Sequence, residues 1–258
     1  MARRALAVWT VGITLFLLAP IVLIAVYAFN PSNVQSWPLP GLSTRWFTST
    51  WNNTEVRQAL WLSVRAGLLA TSVAILLGSM AAFAVHRFRF FGREAVSLVL
   101  VLPLALPGII TGMALNSFIT FNGVSFSLLT IVVGHATFCI VTVYNNVLAR
   151  LRRTPSSLIE ASMDLGARGW RSFRLVLLPL ILPGIVAGSI FTFSLTLGDF
   201  ITPTLVGGAG SDFIGNVVYR SVGIANDVPF AAAFAVVPVI VMGVYLLLAR
   251  RLGAFEAL

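Results

Sequence analysis

Lysine is absent from this chain of 258 residues, and all 17 basic residues are arginine. A phosphate-binding loop of the G-x-x-x-x-G-K-[ST] type requires a lysine, so the chain cannot hydrolyse ATP by that route. Cysteine is almost absent too. Cys139 is the single cysteine, so no internal disulfide can form. The sequence therefore excludes one large class of ATPases and gives no indication of redox chemistry.

Charge of either sign is also scarce. Only 10% of the residues are charged, 58% are hydrophobic and the mean hydropathy is +0.96, whereas a soluble domain carries roughly 25% charged residues. A membrane-spanning helix needs about 20 apolar residues. Six such runs occur, at about 5–29, 59–85, 95–118, 127–148, 177–200 and 231–249. They predict an all-α polytopic membrane protein with six transmembrane helices in a single domain over residues 1–258, with its membrane core at about 59–250.

The arginines that are present lie mostly on one predicted side of the membrane. That side holds the N-terminus, the second and fourth connections and the C-terminus, with Arg3, Arg4, Arg87, Arg89, Arg93, Arg150, Arg152, Arg153, Arg168, Arg171, Arg174, Arg250 and Arg251. Since positive charge accumulates in cytoplasmic loops, both termini are predicted to be cytoplasmic. This distribution follows membrane edges, so the sequence pI of about 11.4 does not indicate a nucleic-acid partner.

Two long connections are predicted on the outer side. Residues 30–57 contain several prolines and three tryptophans, which favours a structured loop at the membrane interface. Residues 203–229 contain a glycine-rich centre, and the pattern leaves open whether this loop dips back into the protein.

Two segments of the chain resemble each other. Residues 102–112 match residues 178–188 at eight of eleven positions, including Pro107 and Pro183. Because proline interrupts helical hydrogen bonding, both spans are predicted to be kinked near their cytoplasmic halves. Broken helices in corresponding places point to a transport pathway. The alternative is coincidence, since leucine, proline and glycine are common in membrane helices.

The connection at 150–178 is too polar to span a membrane and too long for a simple turn. Thr154 is expected to cap a helix that starts at Pro155, and Gly166 to end it. Leu158, Ala161 or Ser162, and Leu165 would form one apolar stripe on this helix, with Glu160 and Asp164 together beside it. The helix could dock on a partner, or it could be an interfacial helix held by anionic lipid.

The same connection carries a resemblance to a known family. Glu160-Ala161-Ser162, three residues, Gly166, nine residues and then Val176-Leu177-Leu178-Pro179 resembles the EAA loop of permease subunits in bacterial ABC importers. Two departures are mild, since Ser162 replaces an alanine and Val176 an isoleucine. Residues 20–24, 135–139 and 143–146 are further similar to the second permease of spermidine/putrescine importers.

The resemblance implies the type I ABC importer permease fold and a set of partners. These are a second permease subunit in a heterodimer, two copies of a cytoplasmic ATPase, an extracytoplasmic solute-binding protein and membrane lipid. No cofactor would be bound by this chain, and ATP would be used by the partner ATPase in a bacterial inner membrane. The residues implied to couple to that ATPase are Leu158, Glu160, Ala161, Ser162, Asp164, Leu165 and Gly166.

Only a few residues bear on the identity of the transported solute. Asp199 is the one acidic residue within a predicted span, about 21 residues and roughly 32 Å after Leu178, near the outer mouth. Asp199 and Phe200 are predicted to line the translocation pathway, where a carboxylate and an aromatic ring would suit a polyamine. Alternatively, Asp199 caps the backbone before Pro203. An aminophosphonate, thiamine or an iron complex are the alternative cargoes.

Two other functional classes have less support. A membrane-embedded enzyme would need a catalytic or metal constellation, but His86 and His135 have no ligand partner at metal-binding spacing, and no G-x-S-x-G elbow is present. No catalytic or metal-binding residues are therefore assigned. An ion-coupled transporter would need ionisable groups at the membrane midplane, and only His135 and Asp199 come close.

Overall fold

The computed structural model describes residues 2–33, 36–208 and 210–251, and within these ranges every regular element is helical. The helices are α1 (Ala2–Tyr27), α2 (Arg45–Asn52), α3 (Thr54–Arg87), α4 (Arg93–Ala105), α5 (Gly108–Phe121), α6 (Leu128–Arg153), α7 (Ser156–Asp164), α8 (Trp170–Ser172), α9 (Leu178–Gly198), α10 (Ile201–Val206), α11 (Ile214–Gly223) and α12 (Val228–Arg251). A π-helical turn, Phe173–Leu177, joins α8 to α9.

In the described part of the chain, five stretches of helix are long and apolar enough to cross a membrane. They are Arg3–Tyr27, Thr54–Arg87, Leu128–Arg153, Trp170–Gly198 and Val228–Arg250. The sixth predicted run corresponds to α4 and α5, which meet at an angle of 102° and would together make one broken span. The all-helical membrane prediction is confirmed, whereas the count of six and the side of each terminus stay predictions.

The break between α4 and α5 follows from Pro107. A proline disfavours the helical conformation of the residue before it, and Leu106 is accordingly extended, with φ −90° and ψ 142°. The kink predicted in residues 102–112 is confirmed. In the matching segment, however, α9 runs unbroken through Pro183, and the irregular backbone is the π-helical turn before Leu178. The helix break at Pro107 is therefore not repeated at Pro183 in residues 178–188.

The centre of the molecule is formed by α3, α6 and α9, which pack against one another. The buried face of α3 is made of small side chains, which allow neighbouring helices to approach closely. A Cβ atom added to Gly78 of α3 would lie 2.7 Å from the carbonyl oxygen of Ile140, and one added to Gly188 of α9 would lie 3.0 Å from Cα of Val143. A side chain at Gly78 would therefore push α3 away from α6, and one at Gly188 would crowd the crossing of α9 with α6.

The two long connections that were predicted on the outer side contain helices that pack on the rest of the protein. Trp46 of α2 is buried, and its indole nitrogen donates to the carbonyl of Asn30 at 2.6 Å, which confirms that the described part of the connection at 30–57 is structured. The open question at 203–229 is answered by α10, which packs on α5 and α6. Thr130 of α6 donates its hydroxyl hydrogen to the carbonyl of Val206 at 2.7 Å, so the segment returns into the protein.

Candidate functional site

The short helix α7 is bounded by one proline and one glycine. Pro155 precedes its first residue, and Gly166 follows it with a φ of +85°, a left-handed conformation that glycine adopts without strain. The amide of Ala167 donates to the carbonyl of Ser162 at 3.0 Å, which satisfies the free end of the helix. Gly166 ends the helix as predicted.

The predicted cap at the other end of α7 is wrong. Thr154 belongs to the end of α6, which extends to Arg153, and its hydroxyl donates to the carbonyl of Arg150 at 3.0 Å. Because that hydroxyl is engaged by the preceding helix, it makes no bond to α7, and the N-cap position is Pro155.

Most of the predicted coupling residues are exposed. Leu158 is 45% exposed and Leu165 is 90% exposed, and Glu160, Ala161, Asp164 and Gly166 are exposed as well. The apolar stripe therefore consists of Leu158, Ala161 and Leu165. It lies on the outer surface of α7, with the two carboxylates beside it.

Ser162 is the exception among these residues. It is buried, and its hydroxyl donates to Ser172 in α8 at 2.9 Å and lies 2.7 Å from the carbonyl of Ile159. Ile159 packs on a core that includes Leu151 and Leu177. Ser162 and Ile159 thus hold α7 on the bundle, and this inner face was not identified from the sequence.

Asp199, the predicted pathway residue, lies in the short junction between the end of α9 and the start of α10. One carboxylate oxygen accepts from the amide of Ile201 at 2.8 Å, and the other accepts from the amide of Thr202 at 3.3 Å. The capping interpretation is therefore confirmed. The second oxygen also lies 3.2 Å from Nε2 of His135, and the side chain of Asp199 is 16% exposed.

Phe200 lines an open cleft of about 510 Å³ beside this carboxylate. Its ring stacks on Tyr219 of α11, with centroids 5.1 Å apart and planes 8° from parallel. The same cleft is lined by Asn216 and by the ion pair of Asp212 with Arg220, whose atoms are 2.8 Å apart. The cleft offers two aromatic rings and charged groups of both signs.

Sequence reasoning missed several of these partners. In the sequence, His135 has no ligand partner at metal-binding spacing, yet the fold brings it to Asp199 from a different span. Tyr219 and Asp212 were not singled out because they lie in a connection whose helix the sequence did not reveal. Counting residues from the outer end of each predicted span could have found the histidine, since His135 and Asp199 both fall near the outer ends of their spans.

Comparison with known proteins identifies the family. Residues 74–254 match the family described as "Binding-protein-dependent transport system inner membrane component". The putrescine transport system permease protein PotI of Escherichia coli strain K12 is 34% identical over 217 residues, which cover 80% of this chain and 76% of PotI. The spermidine/putrescine transport system permease protein PotC of the same organism is 29% identical over 230 residues, or 88% and 86% of the two chains.

A third relative matches over a shorter stretch. The inner membrane ABC transporter permease protein YdcU of Escherichia coli strain K12 is 60% identical over 110 residues, which are 43% of this chain. The match spans 35% of the length of YdcU, so it concerns only about a third of that protein.

Solved structures share the fold at low sequence identity. A bacterial ABC transporter involved in the import of alginate aligns with 97% of this chain and 95% of its own, with a TM-score of 0.72 at 18% identity. The methionine ABC transporter MetNI, in an inward-facing conformation, aligns with 79% of this chain and 96% of its own, with a TM-score of 0.65 at 20% identity. The chain therefore belongs to the family of inner-membrane components of binding-protein-dependent transport systems, as a multi-pass, non-catalytic permease subunit with the ABC importer fold.

Proposed function

We propose that this chain forms half of the translocation pathway for a polyamine, with putrescine and spermidine as the cargo. A second permease subunit would form the other half, an extracytoplasmic binding protein would deliver the cargo, and two copies of a separate ATPase would use ATP to drive import. The observation that supports this choice of cargo is the similarity to PotI, a putrescine permease by its name, along 80% of this chain.

The coupling role is assigned to α7. Its exposed stripe of Leu158, Ala161 and Leu165 can fill an apolar groove on the ATPase, and Glu160 and Asp164 can meet basic side chains there. Among the residues that the structure describes, neither of these two carboxylates forms an ion pair within the chain. Both charges are therefore available to a partner.

Substitution of Gly166 tests the coupling role. Gly166→Val places a β-branched residue at a φ of +85°, which costs about 1–2 kcal/mol and misdirects the end of α7. We expect reduced copurification of the ATPase and reduced uptake, with membrane insertion unchanged. Gly166→Asn is the matched control, since asparagine tolerates this conformation. Equal uptake by the two variants would contradict the role of the turn.

Charge reversal gives a second test of the same surface. Glu160→Lys keeps a long exposed side chain on α7 but presents the wrong sign to a basic groove. We expect the ATPase to dissociate more readily, and more so at low salt, where repulsion between exposed charges is screened less. Unchanged retention at low and high salt would favour the alternative in which α7 only lies on lipid.

The chemistry of the outer cleft is compatible with a polycation. The aromatic faces of Phe200 and Tyr219 can hold an ammonium group, and Asp212, which is paired with Arg220, lies in the same cleft. Asp199 is less accessible than the sequence suggested, because both its oxygens already accept hydrogen bonds. Phe200 is therefore the residue assigned to contact cargo, and Asp199 is assigned to shape the pathway.

The cargo is tested by competition in cells that carry the assembled importer and lack other polyamine importers. Uptake of radiolabelled putrescine is measured with excess unlabelled spermidine, an aminophosphonate, thiamine or a ferric complex. We expect strong competition by spermidine and none by the other three. Competition by one of those three, without competition by spermidine, would assign the importer to that solute.

A further inference from the structure

We propose that Arg220 is an internal competitor of the cargo: its guanidinium group pairs with the carboxylate of Asp212 until an ammonium group of a linear polyamine replaces it there. Nη2 of Arg220 lies 2.8 Å from Oδ2 of Asp212, and both side chains line the outer cleft. The inference rests on the proposed function. It makes Asp212 the charged contact of the same site and Arg220 the residue that sets how readily a cation reaches it.

The ion pair is accessible and can change partners. The side chain of Arg220 is 46% exposed and that of Asp212 is 45% exposed. Ion pairs at such exposure contribute little to stability, because water solvates both charges once they separate. The carboxylate of Asp199 differs, since it is 16% exposed and both of its oxygens accept hydrogen bonds from backbone amides. Asp212 is therefore the carboxylate of this region that a cation from solution can reach.

The walls of the cleft are held by contacts that involve neither partner of the ion pair. The amide of Ile214, at the start of α11, donates to the hydroxyl of Ser63 on α3 at 3.0 Å. The side-chain amide of Asn216 on α11 donates to the hydroxyl of Thr204 on α10 at 2.7 Å. These bonds join α11 to its two neighbouring helices. The ion pair can therefore separate while the cleft keeps its shape.

The aromatic side of the cleft provides a second contact for a cation. Tyr219, next to Arg220 on α11, is 58% exposed, and its ring stacks on that of Phe200. An ammonium group is attracted to the face of such a ring. The cleft of about 510 Å³ has the size of a small-molecule site. One ammonium group of a polyamine can thus lie at the rings while another pairs with Asp212, which a neutral or anionic solute cannot do.

Competition predicts opposite effects for the two partners of the ion pair. When a binding group is free in only a fraction of the molecules, the apparent affinity falls by that fraction. Loss of the Arg220 charge should therefore tighten polyamine binding, whereas loss of the Asp212 charge should weaken it. An ion pair that only stabilises the fold would change binding in the same direction from either side.

Equilibrium binding of radiolabelled putrescine measures these effects on the complete importer, held in lipid nanodiscs without the binding protein. We expect Arg220→Gln to lower the Kd by about fivefold and Asp212→Asn to raise it by about fivefold or more. Arg220→Lys keeps a competing charge and should stay within about twofold of the wild type. Arg65→Gln is the matched control, because it removes an exposed arginine at the predicted outer end of α3, outside the cleft.

The outcomes separate this inference from the proposed function. Import of putrescine by the wild type, together with an unchanged, higher or unmeasurable Kd in Arg220→Gln, would overturn the competition and leave the function in place. An equal decrease of the Kd in Arg65→Gln would also overturn it, since the effect would then come from the overall charge. If the wild type, supplied with its binding protein, imports neither putrescine nor spermidine, both proposals are wrong.

Discussion

The hydroxyl of Ser162 on α7 donates a hydrogen bond to the hydroxyl of Ser172 on α8 at 2.9 Å. Ser172 donates in turn to the carbonyl of Ala167 at 3.2 Å. This chain of bonds ties the exposed helix α7 to the turn that enters the span α9. Movement of α7 by a partner would therefore be passed directly to α9.

Ser162→Ala tests this connection. The variant removes one buried hydrogen bond, so the free energy of unfolding should fall by about 1 kcal/mol. Ser157→Ala is the matched control, because Ser157 lies on the exposed face of the same helix and its loss should change stability by less than about 0.5 kcal/mol. The midpoint of thermal unfolding of the purified chain measures both. Equal midpoints for the two variants would show that the bond contributes nothing.

Leu165→Ser tests the apolar stripe. Leu165 is 90% exposed, so the substitution should leave the stability of the chain unchanged, while the loss of a leucine from a docked interface costs about 1.5–3 kcal/mol of binding free energy. Affinity for the ATPase should fall by roughly tenfold or more. Phe91→Ser is the control, since Phe91 is fully exposed in another connection on the same predicted side. A similar loss in both variants would remove α7 as the specific contact.

Gly78→Val tests the close crossing of α3 and α6. A Cβ at Gly78 would lie 2.7 Å from the carbonyl oxygen of Ile140, so the two helices must separate at a cost of about 1–3 kcal/mol. Gly12→Val is the control, because no atom lies within 4 Å of a Cβ built on Gly12. We expect a lower midpoint of thermal unfolding for Gly78→Val only. An unchanged midpoint would mean that the crossing tolerates a side chain.

The features that sequence predicted well are those set by local chemistry. Apolar length predicted the five helices that are long enough to cross a membrane, proline predicted the break at Pro107, and glycine predicted the end of α7 at Gly166. Each depends on residues within one or two turns of the feature. Such features need no knowledge of how the helices pack.

The features that were missed depend on packing between distant segments. The contact of His135 with Asp199 requires α6 and α9 to be adjacent and in register, which no local pattern encodes. The return of α10 onto α5 and α6 likewise depends on the bond of Thr130 to Val206 and on that of Asn116 to Leu205. The repeated Leu-Pro-Leu segments show the converse, because similar residues adopt different backbones at Pro107 and Pro183.

The most direct test of the proposed function is ATP-driven uptake by the reconstituted importer. Liposomes that contain this chain, its second permease and the ATPase are loaded with ATP, and the binding protein is supplied outside with radiolabelled spermidine. We predict accumulation of spermidine above its outside concentration, dependent on internal ATP and lost in Gly166→Val. Hydrolysis of ATP that drives accumulation of another solute, with spermidine left outside, would contradict the account.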